Sequence, residues 1–372
     1  MINCKAAEPR QKVRAEKQLI FAGNETAGYN HHACVAAYKG RLYAAWSSSP
    51  QHEDDCGQRI MMSVSENFRD WETAVPIIDS RKGVYSMAVL SAGGMAVFQD
   101  ILYLFFGYYE YAEGEVRENG TLRPLAEDDT HHNWTQTGYI CTRDGISWSE
   151  PRFMDIPAVP NHAPSFLHSG RLLMPCSILY PYSDDQSGIG TYCFAGIYGD
   201  SFGGERPHDD SASIAMVTKK RGWEAPLICE GSFFQTDDEV IHMMLRSNSS
   251  YLWCTESSDN GESWSDPFPT EFTDDRSKFH FGRLPDGRYY YVGNCIPDQG
   301  RNPLMLCISQ DGENFSRQYV LRDESYEKKF GGLYKNGLYG YPSSIAQDGY
   351  LYVIYSKRKE AIEITRVKLK DI

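Results

Sequence analysis

The sequence predicts an all-β protein, a single six-bladed β-propeller over residues 1–372, from three observations. A turn motif ending in an aromatic recurs along the chain, a two-strand hairpin signal recurs in phase with it, and the composition is that of strands and turns. The 372 residues include 25 Tyr, 17 Phe and 7 Trp beside 32 Gly and 18 Pro. Such a mixture favours pleated strands joined by tight turns over helix or disorder.

Six units follow in order at the ~40–50-residue period of propeller blades. The first, 18–71, turns at Lys39-Gly40-Arg41, returns through Leu-Tyr-Ala-Ala-Trp46 and closes with Ser63-Val-Ser65-Glu-Asn-Phe-Arg-Asp-Trp71. The second, 72–148, turns at Gln99-Asp100 and closes with Thr142-Arg-Asp144-Gly145-Ile-Ser147-Trp148. The third, 149–223, turns at Ser169-Gly170-Arg171 and closes with Gly222-Trp223. The fourth, 224–264, carries the complete motif Ser257-Ser-Asp259-Asn-Gly261-Glu-Ser263-Trp264. The fifth, 265–315, turns at Asp286-Gly287-Arg288 and closes with Ser309-Gln-Asp311-Gly312-Glu-Asn-Phe315; the sixth, 316–370, turns at Asp348-Gly349-Tyr350. Only the copy at 257–264 is complete and the others are weaker copies; in the complete box the Asp caps its own turn, the Gly supplies a positive φ, and the aromatic packs between neighbouring sheets. Insertions fall near 111–135, rich in Glu, Asp and His, and near 180–212, rich in Gly, Asp and Ser. A seven-bladed ring is the alternative, with 190–223 as a blade of its own. Helices have almost no room, and the terminal strands are expected to meet and close the ring, which removes free sheet edges.

Charge and cysteine usage narrow the setting. Lys+Arg number 37 and Asp+Glu 50, a net charge of −13 with no basic run. Nucleic acid and anionic membrane are therefore not expected as partners, because phosphate binding draws on clustered Lys and Arg. The opening MINCKAAEPRQKVRAEKQLIF has no apolar signal-peptide core, and no stretch nears the ~18 apolar residues of a membrane span. Ten cysteines are scattered with no Cys-x-x-Cys pair. They read as buried free thiols, and a reducing, cytoplasmic location is expected.

The first strand of every blade lines the central channel, so polar residues at those strand starts converge in one funnel. By repeat phase these are Asn30-His31-His32, Tyr85-Ser86, Asn161-His162, Asp238-Glu239, His280 with Arg283, and Tyr341. Abstracting the C5 proton of a uronate needs a neutralised carboxylate, a base of near-neutral pKa and an acid for the leaving oxygen. His31, His32, His52, Arg246, Arg283 and Tyr341 suit those parts. A hydrolase would instead pair an acid with a nucleophile, for which Asp55 and a Tyr341/Glu239 couple are the candidates.

The box at 257–264 resembles the Asp-box, Ser-x-Asp-x-Gly-x-x-Trp, of the sialidase-like β-propellers, and the Tyr341 turn before Asp348-Gly349 is similar to their closing blade. That resemblance implies a tyrosine nucleophile at Tyr341 activated by a Glu from an earlier blade, which the Glu239-to-Arg246-to-box order assigns to Glu239. It also implies an acidic acid/base in the first-blade loop, at Asp54 or Asp55. Where sialidases carry Phe/Tyr-Arg-Ile-Pro, whose Arg is one of three gripping the sialate carboxylate, this chain has Asn30-His31-His32-Ala33. His32 and His52, flanking one hairpin, are similar instead to the arrangement in β-propeller uronate lyases and in propeller enzymes that remove rhamnose from glucuronate.

The sequence reading therefore favours histidine-assisted cleavage of a glycosidic bond at an acidic sugar. An exo-sialidase and a non-catalytic glycan-binding propeller are the alternatives, with a protein-interaction platform behind them. His32, His52, Tyr341, Glu239 and Asp55 are the expected catalytic groups; His31, Arg246, His280, Arg283 and His162 are expected to bind an acidic oligosaccharide. His31, His32, His52 and Asp55 come from one hairpin, but no compact ligand spacing such as His-x₃-His appears, so no metal or other cofactor is expected. His131, His132 and His208 are read as loop residues.

Overall fold

Six sheets arranged as propeller blades make up the structure, a computed structural model that describes residues 1–5, 10–111, 132–225 and 227–372. The expected insertion near 111–135, His131 included, falls largely outside those residues. Blades I and II pair strands Tyr29–Tyr38, Arg41–Ser49, Arg59–Ser65, Val75–Ile78 and Val89–Phe98, Ile101–Tyr111, His132–Thr142, Arg152–Phe153, each in antiparallel order from the axis outward. Blade III is short: Ser165–Phe166, Leu172–Leu173, Leu179–Ser183, Cys193–Gly196. Blade IV runs Ile228–Gln235, Ile241–Ser247, Tyr251–Ser257, Phe268–Thr273, and blade V His280–Arg283, Tyr289–Gly293, Leu304–Ser309, Arg317–Arg322. Blade VI takes three strands from the C-terminus, Tyr339–Gln347, Tyr350–Lys357 and Ala361–Lys368, and its outer strand, Ala15–Phe21, from the N-terminus. On the way there the N-terminal segment adds Asn3–Cys4 in parallel to blade IV and Gln11–Lys12 in parallel to blade V.

The count is six, not seven. Residues 190–223 hold the outer strand of blade III followed by the helix Ile214–Arg221, so the alternative seventh blade does not form, and the simple insertion over 180–212 is replaced. The repeat units are displaced by one strand as well, because each box connects the third strand of a blade to its fourth. Three boxes share one hydrogen-bond pattern. Asp259 accepts from the Glu262 and Ser263 amides at 3.1 and 2.9 Å, Asp144 from Ile146 and Ser147 at 2.8 Å each, and Asp311 from Glu313 and Asn314 at 2.8 Å each. In blade I Asn67 does the same for Arg69 and Asp70 at 2.9 and 2.8 Å. Gly222-Trp223 is not a box; Gly222 terminates the helix in the left-handed conformation, φ 70°.

Both faces of every blade are covered by its neighbours, which explains strands that are apolar throughout rather than alternating, such as Leu304–Ser309, buried along its whole length. Six of the apolar clusters each bridge one pair of adjacent blades, from blades I and II round to VI and I, so the core is a ring of wedges. Near the axis the wedges taper and small residues are required. A Cβ on Gly94, φ 135°, would lie 2.3 Å from the Ala163 amide nitrogen. No described helix is long and apolar enough to cross a membrane.

Candidate active site

Four innermost strands are interrupted at the same place. Pairing jumps from His31↔Ser47 to Cys34↔Ala45 in blade I, from Ala92↔Phe106 to Gly94↔Phe105 in II, from Cys229↔Arg246 to Ser232↔Met244 in IV and from Gly340↔Ser356 to Ser343↔Ile354 in VI. Each jump inserts one extra residue on the inner strand. A bulge of this kind frees a side chain from the alternation of the pleat and re-aims it. In three of these blades the freed residue is a bulky one in the left-handed region: His32 at φ 53°, Glu230 at 53° and Tyr341 at 51°. Such backbones are uncommon for side chains of this size and cluster at functional sites.

The freed side chains line one cavity of about 500 Å³ at the funnel mouth, together with Arg246, Arg301, Asp54 and Lys278. At its centre the Tyr341 hydroxyl donates a short hydrogen bond to Glu230 Oε1 and accepts one from Arg246 Nη1 at 2.9 Å. The same Arg246 nitrogen donates to Glu230 Oε2 at 2.6 Å. Burial would raise the Glu230 carboxyl, but the Arg246 charge and hydrogen bond, with the tyrosine hydroxyl, outweigh it and hold the group below the usual range. Burial and the Glu230 charge push Tyr341 well above an ordinary phenol. The resting state is thus a neutral phenol beside an ionised carboxylate. Lys278, Lys359 and Arg301 stand 5.3, 5.7 and 5.8 Å from the Tyr341 ring centre. Arg301 Nη1 and Arg246 Nε are buried with no hydrogen-bond partner among the described residues.

A second carboxylate group lines the cavity from the blade I loop. Asp54 accepts from the Tyr109 hydroxyl, and burial and the neighbouring Glu53 charge push its carboxyl up to about 6. Glu53 is held by the Lys359 ammonium and the Tyr29 hydroxyl, with His31 Nε2 and His32 Nε2 at 3.9 and 4.0 Å. His31, His32 and Glu53 have donor atoms close enough to share a cation, but Lys359 already compensates the carboxylate there. Burial, then Lys359 for His31 and Lys278 for His32, drives both imidazoles well below their ordinary value. They are neutral at pH 7.

The structure brings together His32, Arg246 and Tyr341, with the His31 ring packed at a tilt against the tyrosine, 4.1 Å between ring centres, and bonded through Nδ1 to Ser356 Oγ at 2.6 Å. It places the other expected residues elsewhere. Glu239 sits in the hairpin turn at the far end of blade IV, exposed, with His168 Nδ1 at 3.3 Å. Arg283 is nearby, bonded to Asp237 at 2.6 Å. Neither reaches the cavity. The hairpin Asp237-Asp238-Glu239 precedes a second strand, not a first one; the blade IV counterpart of His32 and Tyr341 is Glu230, whose sequence signal is the Glu230-Gly231-Ser232 step before Phe233. His52 turns away and accepts the Leu333 amide at 2.9 Å, so it does not flank the funnel with His32. Asp55 is buried and accepts the His52 amide at 3.2 Å, while its neighbour Asp54 faces the cavity. His162 and His280 line a smaller cavity of about 220 Å³ further down the channel, which shares His32, Asn161 and Lys278 with the first. His132 opens the third strand of blade II and lines the main cavity against Tyr109, ring centres 4.2 Å apart, rather than lying in a loop. Glu230, Glu53, Lys278 and Lys359 were not singled out by the sequence, and Arg301, in Gly300-Arg301-Asn302-Pro303, reads there either as a funnel residue or as a turn cap.

Ring, boxes and a tyrosine held between a carboxylate and an arginine define a sialidase-like six-bladed propeller. Residues 40–353 match the model of the BNR repeat-like domain, and the chain belongs to that family. Among solved structures it is similar to a sialidase at 18% identity and TM-score 0.68, covering 97% of this chain and 33% of that one. A protein of unknown function from Dyadobacter fermentans DSM 18053 is similar at 15% identity and TM-score 0.66, covering 97% and 100%. The intramolecular trans-sialidase from Ruminococcus gnavus in complex with oseltamivir carboxylate is similar at 13% and 0.64, covering 95% and 97%. The chain thus spans about a third of the first of these proteins, and at such identities the likeness is one of fold. No curated protein sequence matches it.

Proposed function

We propose that this chain is a retaining glycosidase or transglycosidase acting on a carboxylate-bearing sugar, with Tyr341 as nucleophile. The observation that carries the reading is the Tyr341 hydroxyl bridging ionised Glu230 and Arg246 on the cavity floor. The tyrosine oxygen attacks the anomeric carbon while its proton passes to Glu230, which is held ionised to receive it. Asp54, raised toward neutrality, gives its proton to the leaving oxygen and takes one from the water or acceptor sugar in the second step. Arg246 and Arg301, each with a buried donor left unpaired among the described residues, supply the anion-binding edge for the sugar carboxylate, and Lys278 adds charge to the same cavity. The sialidase-like fold and the oseltamivir carboxylate held in complex by the Ruminococcus gnavus trans-sialidase support the substrate class.

A second reading, histidine-assisted elimination at a uronate, keeps one supporting observation: neutral His32 on the cavity wall could accept a proton. Incubation with sialosides and uronate oligosaccharides separates the two. The first gives a free acid sugar of retained anomeric configuration, lost in Tyr341→Phe. A 4,5-unsaturated, ultraviolet-absorbing product that survives Tyr341→Phe and vanishes in His32→Ala would overturn it.

A further inference from the structure

Away from the funnel, three thiols from three separate segments converge in the apolar wedge between blades IV and V. Cys4 lies on the short N-terminal strand beside blade IV; Cys295 follows the second strand of blade V, and Cys307 lies in the third. The Cys307 sulfur is 3.6 Å from that of Cys4, 303 positions away in sequence, and 3.7 Å from that of Cys295. All three sulfurs lie within 4.8 Å of one another, and all three residues are buried. We infer that Cys4, Cys295 and Cys307 form a site for one soft, thiophilic d¹⁰ cation of the Cu(I) or Zn(II) kind, which clips the N-terminal strand to the ring.

The spacing fits a shared ion. Thiolates about 2.3 Å from one metal stand about 3.8 Å apart in a tetrahedral site and about 4.0 Å in a trigonal one, so the observed pairs need open by only a few tenths of an ångström. A disulfide would instead require closure to about 2.05 Å and would strand the third thiol. Phe272, Tyr291 and Phe315 pack in the same wedge and keep it dry, a setting in which three sulfur ligands alone favour Cu(I) over ions that seek oxygen. Gln318 directs its amide to the Cys4 sulfur at 3.3 Å. Binding forms three metal–sulfur bonds and releases the thiol protons to solvent; no electron is transferred. Because Cys4 lies 303 positions from Cys307, the ion closes a very long loop and stabilises the folded state by what that closure removes from the unfolded one.

The full chain, reduced and stripped of metal under anaerobic conditions, is titrated in separate arms with Cu(I), Zn(II) and Co(II), then desalted and analysed for metal. One equivalent retained per chain is expected, with a thiolate-to-metal charge-transfer band in the Co(II) form and a raised Tm. Cys4→Ser and Cys307→Ser should lose the retained ion and the band, while Cys176→Ser, buried in a different wedge, should keep both. If Cys307→Ser does not fold, Cys4→Ser and the Co(II) spectrum of the unaltered chain decide. Retention of neither Cu(I) nor Zn(II), retention unchanged in Cys4→Ser, or a Cys4–Cys307 disulfide in a chain that takes up no metal once reduced would each overturn the site.

Discussion

Replacing Tyr341 by Phe removes one oxygen from the centre of the proposed chemistry and little else. The ring remains buried against His31, and the Arg246–Glu230 pair keeps its own 2.6 Å contact. What is lost is one charge-assisted hydrogen bond to Glu230 Oε1 and the acceptor for Arg246. Hydrogen bonds to charged groups contribute about 1.5–3 kcal/mol each, and part of this loss is offset because Arg246 still serves Glu230. A destabilisation of about 2 kcal/mol follows, which in a chain of this length lowers Tm by roughly 2–4 °C. Turnover should fall about 10³-fold or more, the scale expected when a nucleophile is removed and binding remains. The assay is release of free acid sugar from a chromogenic glycoside, paired with intact-mass detection of the covalent adduct left by a 2,3-difluorinated sugar acid and mapped to Tyr341. An adduct on another residue, or a Tyr341→Phe enzyme within tenfold of the parent, would refute the tyrosine mechanism. A Tm loss above ~10 °C would show that the hydroxyl is chiefly structural.

Further outcomes follow from the same geometry. Asp54 must hold its proton to serve a leaving group, and its folded value is raised from 3.8 to about 6, so kcat/KM should be lost as pH rises through about 6; Asp54→Asn should abolish that limb, measured in a pH–rate profile. Arg301→Ala should raise KM for a carboxylate-bearing sugar by about tenfold or more with a smaller change in kcat, the pattern of a lost charge-assisted contact, read from initial rates. Glu239→Gln and Arg283→Ala, at the far end of the propeller, should leave both constants unchanged in the same assay. Trp264→Ala removes a ring packed edge-on against Tyr180 at 4.7 Å and should cost about 2–4 kcal/mol in denaturant unfolding while sparing kcat.

The repeat was legible because turn chemistry is local: Asp259, Asp144 and Asp311 each satisfy amides within four residues, and such contacts show in a short window of sequence. The helix at 214–221 was not, since Gly222-Trp223 imitates a box while ending a helix. The site was legible only where the phase of the innermost strand could be read. His32 and Tyr341 precede recognisable hairpins, whereas Glu230 carries no turn signal of its own, and the Glu-to-Arg-to-box order points instead to Glu239 in the next turn. Lys278, Lys359 and Arg301 come from loops whose approach to Tyr341 is set by the closed ring, a relation without a local signature.

The N-terminal segment that lies in turn along blades IV, V and VI also sets an order of assembly. Residues 15–21 are synthesised about 340 positions ahead of Ala361–Lys368, the strand they pair with. Residues 3–4 and 11–12 likewise wait for strands at 268–273 and 317–322. During synthesis the outer edges of three sheets and the segment that covers them are separated in time, so ring closure waits for blade VI and rests on contacts of very large sequence separation.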